Sequence, residues 1–257
     1  MPTQRISKKI AVFLAIFLLS TNTLADTGSA SYDDVVSWAV KKIVSWSPPG
    51  VNFYPDAKET KEEAIERYTS IASDAIQTAF DPNEAPVFGG PNGRIRTVAL
   101  ILSVAMAESG FRKDVDLGIG KHAKGDNGRS WCLSQIQLGV STNGKTKTRI
   151  ALNNDKVQFT TNSDDIGGED LVKDRKKCFR VSLRMMRQSF GACSRLPTEE
   201  RLASYASGSC SGGLASSRVR VRMAMKWLST SPPPANDLQI IKLLMKAGIP
   251  SVAMSEF

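Results

Sequence analysis

The feature that most constrains this chain is an apolar helix that ends on a single carboxylate. In residues 98–109 the apolar side chains recur at helical spacing, and Glu108 lies three residues after Ala105 and seven after Ile101. This spacing places Glu108 near the buried stripe, where a free carboxylate is rare. Burial disfavours the charged form and raises the pKa of the carboxyl group, as a general acid requires. The plain alternative is a helix end on which Glu108 pairs with Arg112, four residues on.

Three short motifs follow one another in the region that this helix opens. They are Glu108-Ser109, then Cys132-Leu133-Ser134-Gln135-Ile136, and then Tyr205-Ala206-Ser207-Gly208. In their order and spacing they resemble the catalytic core of the lysozyme-like lytic transglycosylases, and the loop spacing also resembles goose-type lysozymes. The resemblance covers roughly residues 94–228 of the chain.

The resemblance implies a mainly α, lysozyme-like α+β fold, in which a helical catalytic domain carries a small β element beside the cleft. It implies cleavage of peptidoglycan between N-acetylmuramic acid and N-acetylglucosamine, with Glu108 as general acid and then base and an anhydro-muramic product. Ser109 and Gln135 are expected to contact the muramic acid ring, and Tyr205 to hydrogen-bond Glu108. The reaction needs no cofactor and no metal.

Two other functions stay open. Asp126 lies nine residues before Gln135, where goose-type lysozymes carry an aspartate, so a hydrolytic muramidase that uses Asp126 is an alternative. The second aspartate of those lysozymes corresponds to Gln137, which weakens that interpretation, and Asp126 also suits an ordinary turn. A non-catalytic wall-binding protein is the third candidate, because Cys132 and Ser134 replace a glycine and a methionine of the family's turn.

The first 25 residues have the pattern of a signal peptide. Arg5, Lys8 and Lys9 precede an apolar run at 10–19, and residues 23–25 offer a cleavage site with a small residue. The run is too short for a membrane span, and no later segment approaches one. We therefore expect an exported protein, periplasmic or secreted, with a cell-envelope assembly as a further possible partner.

The chain is basic. Its formal net charge is +9, and removal of the three basic residues of the leader leaves +6. A basic exported protein suits an anionic polymer, and peptidoglycan with its peptide carboxylates is one. Nucleic acid is not expected as a partner, because the sequence has no recognised binding motif and no interleaving of aromatic and basic residues.

Four cysteines favour two disulfides in an exported chain: Cys132, Cys178, Cys193 and Cys210. A zinc site is the alternative, but no pair has short ligand spacing and His122 is the only histidine. Four cysteines allow three pairings, which the sequence alone does not distinguish. We favour Cys132–Cys178 with Cys193–Cys210, because the first bond would tie the turn at 132–136, here called the glutamine turn, to the next helix.

Helical periodicity and breakers divide the rest of the chain. Residues 26–90 form an N-terminal helical region with helices at 32–46 and 60–80, either a layer on the catalytic core or a separate small domain. The breaker-rich stretch 81–93 leads into a catalytic domain over 91–257. There we predict helices at 95–109, 169–190, 198–204, 217–228 and 237–247, the last after the proline-rich break at 231–234. Residues 131–138 are predicted to form a strand or the start of a helix, and residues 141–168 a loop. The basic face of the helix at 169–190 is predicted to be exposed to solvent.

Overall fold

The computed structural model describes residues 30–50, 57–139 and 148–250, and in these ranges the chain is mainly helical. The predicted leader at 1–25 lies outside the described residues. The helices are α1 (Tyr32–Trp46), α2 (Lys61–Ala79), α3 (Gly93–Ser109), α4 (Lys113–Leu117), α5 (Gly125–Gly128), α6 (Gly168–Lys173), α7 (Arg175–Ala192), α8 (Ala203–Ser207), α9 (Leu214–Thr230) and α10 (Asp237–Lys246). The strands are β1 (Ser130–Trp131), β2 (Ile136–Gln137), β3 (Arg149–Asn153) and β4 (Lys156–Thr160).

Helices α1 and α2 each begin at a capping box. The Ser31 hydroxyl accepts the N–H of Asp34 while the Asp34 carboxylate accepts the N–H of Ser31, and Thr60 and Glu63 repeat the arrangement. Each box satisfies N–H groups that the first turn of a helix leaves free. The predicted ranges at 32–46 and 60–80 are confirmed to within one residue.

Helix α3 is the central element, and every residue from its start to Ala105 except Arg96 is buried, rather than one stripe of it. Its N-terminus lacks a side-chain cap from the preceding residue, Asn92. The N–H groups of Arg94 and Ile95 instead donate to the Asp237 carboxylate at the start of α10, each at 2.9 Å. Gly110 closes the helix with φ 60°, a left-handed conformation that favours glycine, and the helix ends at residue 109 as predicted.

The core joins the N-terminal helices to the later ones. Helices α1 and α2 pack on α3, α2 also packs on α7, and α9 lies along α3. The ring of Trp38 in α1 stacks on that of Trp227 in α9, with centroids 4.2 Å apart. The Trp38 indole N–H donates to the carbonyl of Ser231, just beyond α9. These contacts place α1 against the helix that supplies one side of the site described below.

Two short β elements flank the helices. Strands β1 and β2 pair antiparallel around the turn at 132–135, which agrees with a strand in the predicted range 131–138. Strands β3 and β4 form an antiparallel hairpin, so the prediction of loop over 141–168 is wrong for 149–160. Residues 140–147 of that predicted loop lie outside the described residues. Side chains alternate across the hairpin, and Asn154 takes φ 51° in its two-residue connection.

The predicted helix at 169–190 is two helices. Asp174 has extended φ and ψ of −127° and 96°, and its carboxylate accepts the N–H of Lys177, so it ends α6 and caps α7. The predicted helix at 198–204 is likewise divided, into a 3₁₀ turn at Thr198–Glu200 and α8. Helices α9 and α10 agree with the predicted 217–228 and 237–247, with α9 longer at both ends.

The basic face of α7 is not simply solvated, which corrects the expectation. The Glu84 carboxylate has no exposed surface and lies 2.6 Å from Arg184 and 3.2 Å from Arg187. Arg175 lies 2.8 Å from the buried carboxylate of Asp116. These pairs join α7 to α4 and to the α2–α3 connection, and a buried carboxylate needs such partners.

Two disulfides complete the fold, Cys132–Cys178 and Cys193–Cys210, as predicted. The zinc alternative for these cysteines is therefore excluded. The first bond ties the turn between β1 and β2 to α7, and the second ties the end of α7 to the loop before α9. Among the described residues, no helix combines the length and apolar character that a membrane span requires.

Candidate active site

A cleft of about 630 Å³ lies beside the C-terminal end of α3. Its walls come from the turn between β1 and β2, strand β4, and helices α7, α8 and α9. The residues that line it are Glu108, Asp126, Gln135, Ile136, Gln137, Val157, Phe159, Met185, Gln188, Ser189, Ala192, Ser204, Tyr205, Ala206, Gly208 and Arg220. Three of the predicted site residues other than Glu108 therefore reach one cavity: Asp126, Gln135 and Tyr205.

Glu108 occupies the last turn of α3, and 20% of its side chain is exposed. Burial is the largest influence on its carboxyl group and raises the pKa. The guanidinium of Arg220 lowers this pKa, while the negative charge of Asp126 raises it. The pKa of Glu108 lies above its ordinary value, in the direction that helps a carboxyl group to hold a proton near neutral pH.

Arg220 of α9 is the ion-pair partner of Glu108. Its Nη2 and Nε atoms lie 2.6 and 3.1 Å from Glu108 Oε1, and its Nη1 donates to the Ser216 carbonyl at 2.9 Å. No described residue donates a hydrogen bond to Glu108 Oε2. Arg112, the partner in the plain alternative for Glu108, pairs with Asp114 instead, at 2.7 Å.

Arg220 is not among the site residues predicted from the sequence. Arg218, Arg220 and Arg222 alternate along α9, so the residue types alone do not distinguish them. A signal was present in the periodicity, because Ser217 and Ala224 face the core and Arg220 lies three residues after the first and four before the second. That spacing puts Arg220, rather than its neighbours, at the edge of the buried face.

Asp126 lies across the cleft in the short turn α5. Its backbone has φ 49° and ψ 49°, and its Oδ2 accepts a hydrogen bond from the Ser130 hydroxyl. It is close enough to Glu108 for its charge to act on the pKa of that group. The structure thus brings the two candidate carboxylates to one cavity, while Gln137 lines the same cavity as a neutral residue.

The glutamine turn at 132–136 contains two residues with positive φ. Cys132 has φ 57°, a left-handed conformation that favours glycine, and the disulfide to Cys178 tethers it. Gln135 also has positive φ, 46°, and its Nε2 donates to the Cys132 carbonyl. A Cβ atom on Gly125 would lie 2.3 Å from Gln135 Oε1, so this glycine makes room for the glutamine side chain. Ser134 is buried, and its hydroxyl has no hydrogen-bond partner in the described part of the chain.

Tyr205 lines the cleft, as expected. The expected hydrogen bond from its hydroxyl to Glu108 is not formed. The hydroxyl donates to the Ser134 carbonyl at 3.0 Å and lies 3.1 Å from the Ser182 hydroxyl. Burial raises the pKa of Tyr205, and the negative charge of Glu108 raises it further, so the phenol stays protonated. Tyr205 therefore links the glutamine turn to α7 and is a neighbour of Glu108 rather than its hydrogen-bond donor.

Ser109 is not brought into the cleft. It is buried, its hydroxyl donates to the Ala105 carbonyl at 2.7 Å, and the same oxygen accepts the N–H of Phe111. These bonds satisfy backbone groups at the end of α3. The expected contact between Ser109 and a sugar ring has no counterpart among the residues that line the cavity.

The β3–β4 hairpin and α7 supply a wall of the cleft whose residues were not predicted from the sequence. Val157 and Phe159 lie on one face of β4, and the Gln188 side chain of α7 donates to the Val157 carbonyl at 3.3 Å. Phe159 is 56% exposed although it is aromatic. The alternation of apolar and polar residues at 156–160 was the available signal for this strand.

No group of three or more metal-ligating side chains occurs within the described ranges. Comparisons of the chain with protein-family models, curated proteins and solved structures found no match.

Proposed function

We propose that this protein is a lysozyme-like lytic transglycosylase that cleaves peptidoglycan between N-acetylmuramic acid and N-acetylglucosamine. The observation that carries the proposal is the state of Glu108: a half-buried carboxyl group with a raised pKa at the wall of a cleft, with Oε1 held by Arg220. Glycoside cleavage requires a carboxyl group that can protonate the leaving oxygen. Two disulfides and a basic chain are compatible with an exported protein that meets an anionic polymer.

The proposed reaction uses one carboxyl group twice. Glu108 gives its proton to the glycosidic oxygen as the bond from that oxygen to the anomeric carbon of muramic acid breaks. The 6-hydroxyl of the same muramic acid then attacks the anomeric carbon, and its proton returns to Glu108. The product is an anhydro-muramic end, no water is consumed, and Glu108 ends in its starting protonation state.

Hydrolysis of the same bond is the second candidate, and the position of Asp126 favours it. Asp126 lines the cleft with Glu108 and acts on its pKa, as a second carboxylate in a hydrolase would. A hydrolase uses that second group to activate water or to form a covalent bond. Against it, the Asp126 carboxylate accepts a hydrogen bond from Ser130, and the residue occupies a tight turn that explains an aspartate equally well.

The deciding experiment is mass spectrometry of muropeptides released from purified sacculi. Wild-type protein is compared with Glu108→Gln, and Glu66→Gln on the exposed face of α2 is the matched control. We expect anhydro-muramic ends from the wild type and the control, and at least a roughly hundredfold slower release by Glu108→Gln. Reducing ends would instead establish the hydrolase and make Asp126→Asn the next variant. Unchanged release by a folded Glu108→Gln protein would contradict the assignment, and no release by the wild type would favour a wall-binding protein.

A further inference from the structure

The ion pair between Glu108 and Arg220 is asymmetric. Both contacts from Arg220 reach Oε1, at 2.6 and 3.1 Å, and neither reaches Oε2. A guanidinium group often binds both oxygens of a carboxylate side by side, whereas Arg220 binds only one oxygen of Glu108. It leaves Oε2 as the carboxyl oxygen without a hydrogen bond from the described residues.

Arg220 is itself held in place. Its Nη1 donates to the Ser216 carbonyl one turn earlier in α9, and 11% of its side chain is exposed. Helix α9 packs along α3, the helix that bears Glu108. The two charged groups therefore sit on two helices whose relative position is fixed by the core, and the contact has little freedom to change.

We propose that Arg220 is the positioning residue of this site: it fixes Glu108 through Oε1, so that Oε2 carries the reacting proton toward the glycosidic oxygen. This inference rests on the proposed function. A proton on Oε1 would face the N–H groups of Arg220, and a guanidinium group donates hydrogen bonds but does not accept them. The proton of Glu108 is accordingly placed on Oε2, while Oε1 continues to accept from Arg220 after the proton has left.

Arg220 also opposes the effect of burial on Glu108. The charged groups that face Glu108 are Arg220 from α9 and Asp126 from α5, and the phenol of Tyr205 from α8 lies beside them. Arg220 lowers the pKa of Glu108 and Asp126 raises it. Loss of Arg220 thus has two separable results, a less ordered carboxyl group and a further rise in its pKa. A residue that only packs would produce neither in a folded protein.

The test compares Arg220→Met with Arg222→Met. Arg222 lies two residues away on α9, is largely exposed and pairs with Glu199 at the surface, so its removal is the matched control. The pKa of Glu108 is measured by carbon NMR of a sample labelled in the glutamate carboxyl carbons, assigned with Glu108→Gln. Muropeptide release is followed against pH in parallel.

We expect the Glu108 titration and the alkaline limb of the activity profile to move to higher pH in Arg220→Met. At the optimum, kcat should fall roughly tenfold to a hundredfold, the range that misorientation of a reacting group produces. Arg222→Met should match the wild type in both measurements. Arg220→Lys keeps a cation but lacks the planar fork, so its rate should lie between those of the wild type and Arg220→Met.

The outcomes separate this inference from the proposed activity. Release of muropeptides by the wild type, with the same Glu108 titration in Arg220→Met, overturns the positioning role alone. No release by the wild type overturns the activity and the positioning role together. Should Arg220→Met fail to fold, Arg220→Lys decides the question: a folded Lys variant with the rate and pH profile of the wild type overturns the inference.

Discussion

At the scale of a single residue, Glu108 shows how burial and a neighbouring cation act in opposite directions on the pKa of one carboxyl group. Burial at the end of an apolar helix raises its pKa, and the guanidinium of Arg220 opposes that rise without cancelling it. The result is a group that can be protonated and can also be stabilised as an anion after its proton has left. A purely apolar pocket would provide only the first of these properties.

Phe159 provides a residue-scale prediction about substrate. Its ring is 56% exposed at the wall of the cleft, so a glycan strand bound there as proposed would cover it. We expect Phe159→Ala to raise the KM for glycan strands roughly fivefold, which corresponds to about 1 kcal/mol for a lost aromatic contact, with kcat unchanged.

The control for Phe159 is Met245→Ala, an apolar side chain of α10 that is 59% exposed and does not line the cleft. Initial rates of muropeptide release at several substrate concentrations give KM and kcat for each variant. An unchanged KM in Phe159→Ala would mean that the glycan does not extend over strand β4.

The identities of the site residues were predictable to different degrees. Glu108 could be found because it interrupts a local apolar pattern, and local patterns are visible in a sequence. The periodicity of α9 places Arg220 at the edge of the buried face, but its pairing with Glu108 was not predictable, because the two residues are 112 positions apart. Ser109 was predicted as a site residue because it follows Glu108 in the sequence, but its hydroxyl donates to the Ala105 carbonyl of α3 and does not reach the cleft.

At the scale of an element, α3 depends on a residue from the far end of the fold. The Asp237 carboxylate accepts the N–H groups of Arg94 and Ile95, and the Asn92 side chain accepts the N–H of Asp237. A side chain at the start of each helix therefore accepts hydrogen bonds from backbone N–H groups at the start of the other helix. A charged acceptor at a buried helix N-terminus combines hydrogen bonding with a favourable interaction with the helix dipole.

Asp237→Ala should consequently destabilise the protein by about 1–3 kcal/mol, because two buried N–H groups lose their acceptor. The midpoint of urea unfolding, followed by circular dichroism, measures the change. Asp33→Ala is the comparison, since Asp33 lies in the first turn of α1 but is exposed, and it should cost less than about 0.5 kcal/mol. Equal midpoints for the two variants would show that the Asp237 bonds add nothing to stability.

The boundaries of elements followed local signals where those signals were strong. Apolar periodicity between breakers allowed α1, α2 and α3 to be predicted closely, and the structure adds the capping boxes at Ser31 and Thr60 as the physical reason for two of the starts. The break at Asp174 was hidden within a run of basic residues, although an aspartate before a helix is a normal N-cap. Strands β3 and β4 are five residues each, and so short an alternation was overlooked.

At the scale of the whole molecule, contacts between distant residues hold the fold together. Arg184 and Arg187 of α7 surround the buried Glu84, and Arg175 joins α7 to Asp116 of α4. A basic helix face in a sequence usually indicates contact with solvent, and nothing local reveals that acidic partners will arrive from other elements. The mainly helical class was predictable from periodicity, whereas the way in which the helices pair was not.

The disulfides give a prediction at this scale. Cys132–Cys178 closes a separation of 46 residues and Cys193–Cys210 one of 17. Replacing either pair by serine should cost about 2–5 kcal/mol, and the longer loop should cost about 1 kcal/mol more because it restricts the unfolded chain more strongly. Urea unfolding of the two double variants tests the order, and a larger loss from the Cys193–Cys210 pair would contradict it.

The cap on α3 has a consequence for the order in which the molecule can be completed. A polypeptide is made from its N-terminus, and Asp237 is added 143 positions after Arg94. Throughout that interval residues 93–109 exist without the acceptor that finishes their first turn. The helix that bears Glu108 therefore gains the acceptor for its first turn only after residue 237 has been made, and until then one end of the element beside the cleft is unfinished.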